Sequence, residues 1–218
     1  MATPLHIDFI ADISCPWCAI GLRSLEQGIA ALHGSVPLTL RLQPFELNPG
    51  MPQGGEPIAD YVARKSGAGP DELAARQALI RARAAEVGYD FRARTHVFNT
   101  FDAHRLLHQA GLEGRAFELL RALLEAYHVR GENLARHEVL AAAAAEAGLD
   151  PAQARAVLDS DAHAEEVRAA VRHWQQLGIN GVPAVVIDQR HLISGAQPAA
   201  TYERALRSLA AQDPGPQA

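Results

Sequence analysis

The 218-residue sequence contains two cysteines, and they lie three positions apart in the stretch Ser14-Cys15-Pro16-Trp17-Cys18. Two thiols at this spacing can form a redox-active dithiol, supply half of a zinc site or close a structural disulfide. A redox dithiol works by thiolate attack on a disulfide, after which the second thiol displaces the mixed disulfide. The residues around the pair favour this chemistry.

The other two uses of a Cys-x-x-Cys pair have little support in the sequence. A structural zinc site needs four ligands, and no second cysteine pair follows. His104 and His108 could supply two nitrogens, but no local pattern places them beside the cysteines. The sequence starts without a basic segment followed by an apolar one, so we expect no secretory signal and no purely structural disulfide. We therefore predict a redox dithiol and no metal site.

The cysteines lie between a predicted strand and a predicted helix. Residues 5–10 alternate in polarity with period two, which is typical of a β-strand. Apolar residues then recur along one face of a helix at Leu22, Leu25, Ile29 and Leu32. The start of a helix presents unpaired N–H groups that stabilise an anion such as a thiolate. We predict that Cys15 attacks and that Cys18, one turn further along, resolves the mixed disulfide.

The remaining elements predict one sheet that is interrupted in sequence by helices. A second strand is expected over residues 38–45, and a strand–helix–strand unit with short connections makes its two strands parallel. Residues 46–57 are rich in Pro and Gly, as loops are, whereas residues 58–177 carry helical patterns. Two short strand patterns follow between residues 183 and 194, and then a last helix. Because a lone hairpin cannot bury its own face, we predict one four-stranded sheet.

The composition is that of a globular protein without a nucleic-acid or membrane partner. Hydrophobic residues make up 48 %, charged residues 21 %, and the formal net charge is −5. Nucleic-acid binding needs a basic face, and a membrane helix needs about 18 consecutive apolar residues. We expect a cytoplasmic protein, in a compartment where glutathione keeps thiols reduced.

Three segments resemble the DsbA-like thioredoxin family, and within it the FrnE-type cytoplasmic branch. They are Cys15 to Gly21, Asn99-Thr100 with Ala103 to Leu106, and Gly178 to Pro183. The resemblance implies an α/β thioredoxin fold, with a four-stranded mixed sheet and a large inserted all-helical domain. The expected units are a first thioredoxin half over residues 1–57, an insertion over 58–177, a second half over 178–212 and a flexible tail over 213–218.

The resemblance also implies where a substrate meets the dithiol. The family carries a cis-proline opposite its cysteines, and Val182-Pro183 matches that position. The backbone of Val182 can then pair with an extended substrate segment. Pro16 and Trp17, between the cysteines, are expected to bind substrate as well, with Trp17 exposed.

Asn99 and His104 lie at the start of an inserted helix that, by resemblance, caps the active site. We expect them to line the substrate groove or bind glutathione; their alternative roles are a helix cap and a satisfied polar residue. Thioredoxins often have a buried acid six residues before the first cysteine, to assist proton transfer. That position is Phe9 here, and because Asp8 and Asp12 lie at other positions the role is not carried over.

These features predict a thiol–disulfide oxidoreductase that reduces or isomerises disulfides of proteins or small molecules. No bound cofactor is expected, and glutathione is considered as a co-substrate. The alternative is a glutathione-dependent isomerase or transferase, similar to kappa-class transferases and 2-hydroxychromene-2-carboxylate isomerases. Those proteins typically have a serine as nucleophile, and Ser14 is adjacent to Cys15. A third hypothesis is a non-catalytic binding module. The expected partners are disulfide-containing proteins or small thiols, and the chain is expected to be a monomer or a homodimer.

Overall fold

The computed structural model describes residues 4–92 and 94–212. Its elements in chain order are β1 (Leu5–Ala11), α1 (Pro16–Ala30), β2 (Leu38–Pro44), β3 (Glu56–Pro57), α2 (Ile58–Ser66), α3 (Pro70–Glu86), β4 (His96–Val97), α4 (Phe101–Leu112), α5 (Ala116–His128), α6 (His137–Glu146), α7 (Pro151–Leu158), α8 (Ala164–Gln176), β5 (Ala184–Ile187), β6 (His191–Ser194) and α9 (Ala199–Gln212). The predicted tail over residues 213–218 lies outside the described residues. No helix in the described ranges is both long enough and apolar enough to cross a bilayer.

Four strands form one mixed sheet in the order β2-β1-β5-β6. β2 runs parallel to β1, and β5 runs antiparallel to both β1 and β6. The predicted α/β fold with a four-stranded mixed sheet is therefore confirmed. Ile10 pairs with Ala184, so the start of β5 lies beside the end of β1, where the cysteine-bearing helix begins.

The central strand β1 is covered on both faces of the sheet, and its alternate side chains point to opposite sides. On one side Ile7 and Phe9 are fully buried in a core that includes α1 and α9. On the other side Ile10 packs with Trp174 of α8. The central strand β1 is thus held on both faces, which fixes the position of the loop that leads to Cys15.

The segment between β2 and β5 is mainly helical, from α2 to α8. It also contains β4, whose two residues form an antiparallel ladder with β3; a ladder this short has no period that a sequence pattern could reveal. The last helix of the segment, α8, packs on β2. By its packing α8 belongs with the sheet, although its residues fall inside the expected insertion. Helices α3 and α5 contact α1, and so lie beside the helix that carries the dithiol.

Candidate active site

The two cysteines lie at the junction of β1 and α1, as the sequence predicts. Cys15 is the N-cap residue of α1, and Pro16 occupies the first helical position. The Cys15 N–H donates to the Asp12 carbonyl at 3.1 Å, and the Cys18 N–H donates to the Cys15 carbonyl at 3.0 Å. Both thiols are free and buried, with 5 % and 1 % of the residue exposed.

The two thiols have opposite pKa shifts. The hydrogen bond from the Cys18 thiol holds the pKa of Cys15 below its usual value, and the backbone N–H groups of Cys18 and Trp17 add to this effect against burial and the charge of Asp12. Burial raises the pKa of Cys18 well above its usual value, and its interaction with Cys15 raises it further. Cys15 is therefore the easier thiol to ionise, and Cys18 stays protonated.

The loop before β5 faces Cys15. The Val182–Pro183 peptide bond is cis, as the resemblance implied, and the Val182 carbonyl accepts a hydrogen bond from Cys15 Sγ at 3.6 Å. Helix α1 approaches this loop closely at Gly21, where a Cβ atom would lie 2.9 Å from Pro183 Cγ. The structure thus brings Val182 and Pro183 together with the dithiol.

Pro16 and Trp17 are half-buried. Trp17 packs against the main core, which corrects the expectation of an exposed side chain. It also lines a cavity of about 450 Å³ together with Leu79 and Arg83 of α3. The indole is partly covered because α3 lies beside α1.

His104 and Asp12 form a buried pair, and Asp12 lies three residues before Cys15. His104 is 3 % exposed and Asp12 is 1 % exposed, which corrects the expected substrate contact of His104. Its Nε2 lies 3.8 Å from Asp12 Oδ1, because α4 places the imidazole inward. Burial raises the pKa of Asp12, but the His104 imidazole and the backbone N–H groups of Leu47 and Ser14 outweigh burial and hold it below its usual value.

Asn99 lines a second cavity, of about 590 Å³, together with Glu46, Phe101 and Arg168. Its side-chain amide donates to the Met51 carbonyl at 3.1 Å, and its side-chain oxygen accepts from the Phe101 N–H at 2.9 Å. Asn99 therefore satisfies the first N–H group of α4 from the position before its N-cap Thr100, and it also borders a space that could hold a substrate or glutathione. Burial raises the pKa of Glu46, which faces the same space.

Side chains from distant segments hold the loop between β1 and Cys15. His128 of α5 donates from Nε2 to the Ile13 carbonyl at 2.9 Å, and Arg94 donates to the Ser14 carbonyl at 3.1 Å. The Asp12 carboxylate accepts from the Ser14 N–H at 3.0 Å and the Leu47 N–H at 2.7 Å. The inserted helical segment thus fixes the loop that presents the nucleophile.

The sequence did not single out His128, Arg94 or Glu46, and it assigned no role to Asp12. Asp12 had one usable signal, since it is an acid directly after the predicted strand and three residues before Cys15. His128 and Arg94 had none, because their partners lie far away in sequence. Within the described ranges, no three His, Cys, Asp or Glu side chains converge in a way that could hold a metal ion.

The fold and a dithiol opposite a cis-proline define a thioredoxin-like protein. The chain belongs to the DSBA-like thioredoxin domain family, which it matches over residues 6–207. It is similar to the crystal structure of a probable DsbA oxidoreductase from Streptomyces coelicolor, with a TM-score of 0.89 and 35 % identity over 98 % of this chain and 93 % of that one.

Two more distant structures share the fold. One is a 2-hydroxychromene-2-carboxylate isomerase, with a TM-score of 0.72 and 16 % identity over 95 % of this chain and 97 % of that one. The other is the cytosolic disulfide reductase DsbM from Pseudomonas aeruginosa with GSH, with a TM-score of 0.61 and 20 % identity over 95 % and 98 %. These two structures show the shared fold, whereas the family and the Streptomyces coelicolor structure support an oxidoreductase.

Proposed function

We propose that the protein is a thiol–disulfide oxidoreductase that reduces or isomerises disulfides with the Cys15–Cys18 dithiol. The observation that carries the proposal is the placement of the two thiols: Cys15 lies at the N-cap of α1 beside the Val182 carbonyl, and Cys18 is buried one helical turn further along. The opposite directions of their pKa shifts agree with this placement. Because the thiolate is the nucleophile, the more acidic Cys15 attacks, and Cys18 waits in its protonated form.

In the reductive direction, the Cys15 thiolate attacks one sulfur of a substrate disulfide. A bond forms between Cys15 Sγ and that sulfur, the substrate S–S bond breaks, and the other substrate sulfur leaves as a thiolate. Cys18 then loses its proton and attacks Cys15 Sγ, so that the Cys15–Cys18 disulfide forms and the second substrate thiolate leaves. The substrate gains two electrons, which a cellular thiol such as glutathione returns to the protein.

The substrate class that this site favours is an extended segment carrying a disulfide. The Val182 carbonyl already contacts Cys15 Sγ, and an exposed backbone edge can pair with an extended peptide. Pro183 has no N–H to compete at this point. Disulfide-containing proteins and small disulfides both fit such a site.

The proposal includes a cytoplasmic location and glutathione as the reducing co-substrate. The cavity of about 590 Å³ beside Asn99 supplies space for a tripeptide-sized thiol. The DsbM structure, a cytosolic disulfide reductase with GSH, supports a cytoplasmic location and the use of glutathione by fold likeness alone. Reduction of the Cys15–Cys18 disulfide by glutathione, followed by tryptophan fluorescence, tests this part of the proposal.

Reduction of insulin by dithiothreitol, followed by light scattering, tests the main activity. The wild-type protein should accelerate the reaction, and Cys15→Ala should abolish the acceleration. Cys18→Ala keeps the nucleophile and serves as the matched variant: it should accumulate a mixed disulfide with substrate that is visible by non-reducing electrophoresis. Full activity of Cys15→Ala would overturn the proposal.

The fold likeness to a 2-hydroxychromene-2-carboxylate isomerase favours a second candidate, a glutathione-dependent isomerase or transferase. Such an enzyme would use bound glutathione and an aromatic substrate, and would not need Cys18. Turnover of an aromatic isomerase substrate with glutathione, equal in wild type and Cys18→Ala, would favour this candidate over the first.

A further inference from the structure

A cavity of about 690 Å³ lies on the face of the sheet opposite α1, between α8 and the β5–β6 hairpin. Helix α8 packs on β2, and the far side of the cavity stays open: Leu192 of β6 is 54 % exposed, and Leu177, directly after α8, is 61 % exposed. Neither cysteine lines this space, and neither do Val182 and Pro183. The chemistry of the dithiol therefore does not account for it.

Four residues that line the cavity form one row across the sheet. Asp8 of β1 is in register with Arg41 of β2 and with Val186 of β5, and Val186 is in register with Leu192 of β6. Residues in register lie on the same face of a sheet, and neighbouring strands are about 4.8 Å apart. The row thus places a carboxylate between a guanidinium and two apolar side chains.

Asp8 is a buried carboxylate with an open oxygen. It is 7 % exposed, and Gln43 Nε2 donates to its Oδ1 at 2.7 Å. Among the described residues, Asp8 Oδ2 and Gln43 Oε1 accept no hydrogen bond, and Asp8 forms no ion pair. Because buried polar groups are normally hydrogen-bonded, the floor of the cavity offers two acceptors to a group with several N–H donors. An ammonium group, with three donors, is such a group.

The rim of the cavity carries positive charge. Arg41 and Arg190 are exposed and border the cavity, and neither forms a salt bridge within the described part of the chain. In the described lining, these two arginines accompany a single acid, Asp8. A guanidinium binds a carboxylate well, since its planar donors match the two carboxylate oxygens. The rim is therefore suited to an anionic group.

The walls between the floor and the rim are apolar. Trp174 of α8 is 5 % exposed and packs with Val186, and Leu192 lies across the cavity on β6. Ala169 and Ala170 of α8 also line the cavity, and their small side chains leave room beside the indole. A mostly apolar cleft with a few fixed polar groups is the usual form of a small-molecule site.

We propose that this cavity binds an α-amino acid with a large apolar side chain, such as phenylalanine. Its ammonium group donates to Asp8 Oδ2 and Gln43 Oε1, its carboxylate pairs with Arg41, and its side chain packs against Trp174 and Leu192. An α-amino acid carries its ammonium and carboxylate on one carbon atom, which matches a carboxylate and a guanidinium that are in register on neighbouring strands. This binding is additional to the proposed function and does not depend on it.

The test is a titration of the wild-type protein by ¹H–¹⁵N NMR, in which the indole N–H groups of its two tryptophans give separate signals. Trp17 lies between the cysteines and Trp174 lies in the cavity, and the signal lost in Trp17→Phe assigns both. L-Phenylalanine, titrated into the millimolar range, should shift the Trp174 signal saturably and leave the Trp17 signal in place. No saturable shift of Trp174, or a shift confined to Trp17, would overturn the inference.

Three related compounds test the groups of the ligand. N-Acetyl-L-phenylalanine lacks the ammonium group, L-phenylalanine amide lacks the carboxylate, and glycine lacks the apolar side chain. Each should bind about tenfold more weakly or less, because it leaves a charged or apolar partner unmatched. Equal affinity of the amide would show that a peptide amino terminus or a simple amine suffices, and equal affinity of the acetyl compound would rule out the contact with Asp8. Either result would reject the proposed amino acid.

Asp8→Asn and Arg41→Gln test the groups of the protein. The first keeps an acceptor for Gln43 but removes the charge, and the second removes the guanidinium from an exposed position. Each should weaken the binding of L-phenylalanine by about tenfold or more. The matched controls are Asp60→Asn on α2 and Arg204→Gln on α9, both at exposed positions outside the cavity, and they should bind as the wild type does. Wild-type affinity in either test variant would contradict the inference.

The dithiol takes no part in this binding. Cys15→Ala, which should abolish insulin reduction, should bind L-phenylalanine with wild-type affinity, so the inference and the proposed function can fail separately. Loss of binding in Cys15→Ala would count against a site in the cavity. If Asp8→Asn does not fold, Arg41→Gln and the related compounds still decide the matter.

Discussion

At the scale of single residues, two cysteines of the same helix turn have different acidities because their surroundings differ. Cys15 has the helix N-terminus and the Cys18 thiol to stabilise its anion, whereas Cys18 is enclosed by the core. The spacing in sequence predicts which thiol lies further along the helix. It does not predict the effect of Asp12, whose negative charge raises the pKa of both thiols.

Gly21 permits the contact between α1 and the proline loop. In Gly21→Ala the new Cβ would lie 2.9 Å from Pro183 Cγ, so the loop must move, at a cost of about 1–3 kcal/mol. Thermal unfolding should show a Tm lower by about 2–4 °C for each kcal/mol lost. Insulin reduction should fall as well, because Val182 moves away from Cys15, while alkylation of Cys15 continues.

The control for this prediction is Gly111→Ala in α4. A Cβ at Gly111 would lie 3.9 Å from the nearest heavy atom, in Ala116, which is ordinary contact, and alanine favours the helix by about 1 kcal/mol. Its Tm should stay level or rise. An equal loss of Tm in both variants would show that the close approach at Gly21 is not the cause.

At the scale of elements, one arginine joins α4 to α7 and to the loop between α7 and α8. Arg105 is 4 % exposed, and its Nη1 lies 2.7, 2.7 and 3.0 Å from the carbonyl oxygens of Val157, Ser160 and Ala162. Its Nε and Nη2 donate to Asp102 at 3.1 and 2.8 Å. Because α4 carries His104 and α8 covers the sheet, this arginine connects the cap of the site to the rest of the fold.

Arg105→Lys should lower the stability of the protein strongly, although the substitution conserves the charge. The lysine ammonium is a single point charge, so it cannot serve the carbonyls and Asp102 together, and each unsatisfied buried group costs about 1–3 kcal/mol. Urea denaturation should show a lower midpoint. Arg130→Lys is the control, because Arg130 is 33 % exposed and surface pairs contribute about 0–1 kcal/mol. Equal midpoints for the two variants would contradict the role of Arg105.

The sequence predicted the elements whose pattern is local. β1, α1 and β2 follow from alternating and helical periodicities and from the short connections between them, and the four-stranded sheet follows from the need to bury the last hairpin. The β3–β4 ladder has two residues on each side and no such pattern. The packing of α8 on β2 was missed because the helical pattern shows that a helix forms but not which surface it covers.

At the scale of the whole molecule, the site is assembled from segments that are far apart in sequence. The dithiol and Val182 were found because a motif and a resemblance mark them. His104, Arg94 and His128 reach the Cys15 loop only after the inserted segment has folded onto the sheet. Their roles depend on distances between elements, which local sequence patterns do not contain.

The buried His128 should make the stability of the protein depend on pH. Burial, followed by the charge of Arg94, lowers its pKa well below the usual value, so the unfolded chain binds more protons than the folded protein at acidic pH. Stability should therefore decline as the pH falls below the unfolded pKa, about 6.5. In His128→Phe the Ile13 carbonyl loses its donor, at a cost of about 1–3 kcal/mol at neutral pH, and the acid decline should become shallower.

The measurement is the free energy of unfolding from urea titrations at several pH values. His173→Phe is the control, since His173 is exposed and its replacement should leave the acid decline intact. An acid decline of equal slope in wild type and His128→Phe would contradict the assignment of a buried neutral imidazole.

The central claim is that Cys15 is an unusually acidic thiol and Cys18 is not. Its most direct test is the pH dependence of alkylation of the reduced protein by iodoacetamide, with each cysteine followed separately by peptide mass spectrometry. Cys15 should react with a midpoint below the value of about 8.5 for free cysteine, and Cys18 should stay unmodified over the same range. Alkylation of Cys15 no faster than that of free cysteine at neutral pH, or preferential alkylation of Cys18, would contradict the account.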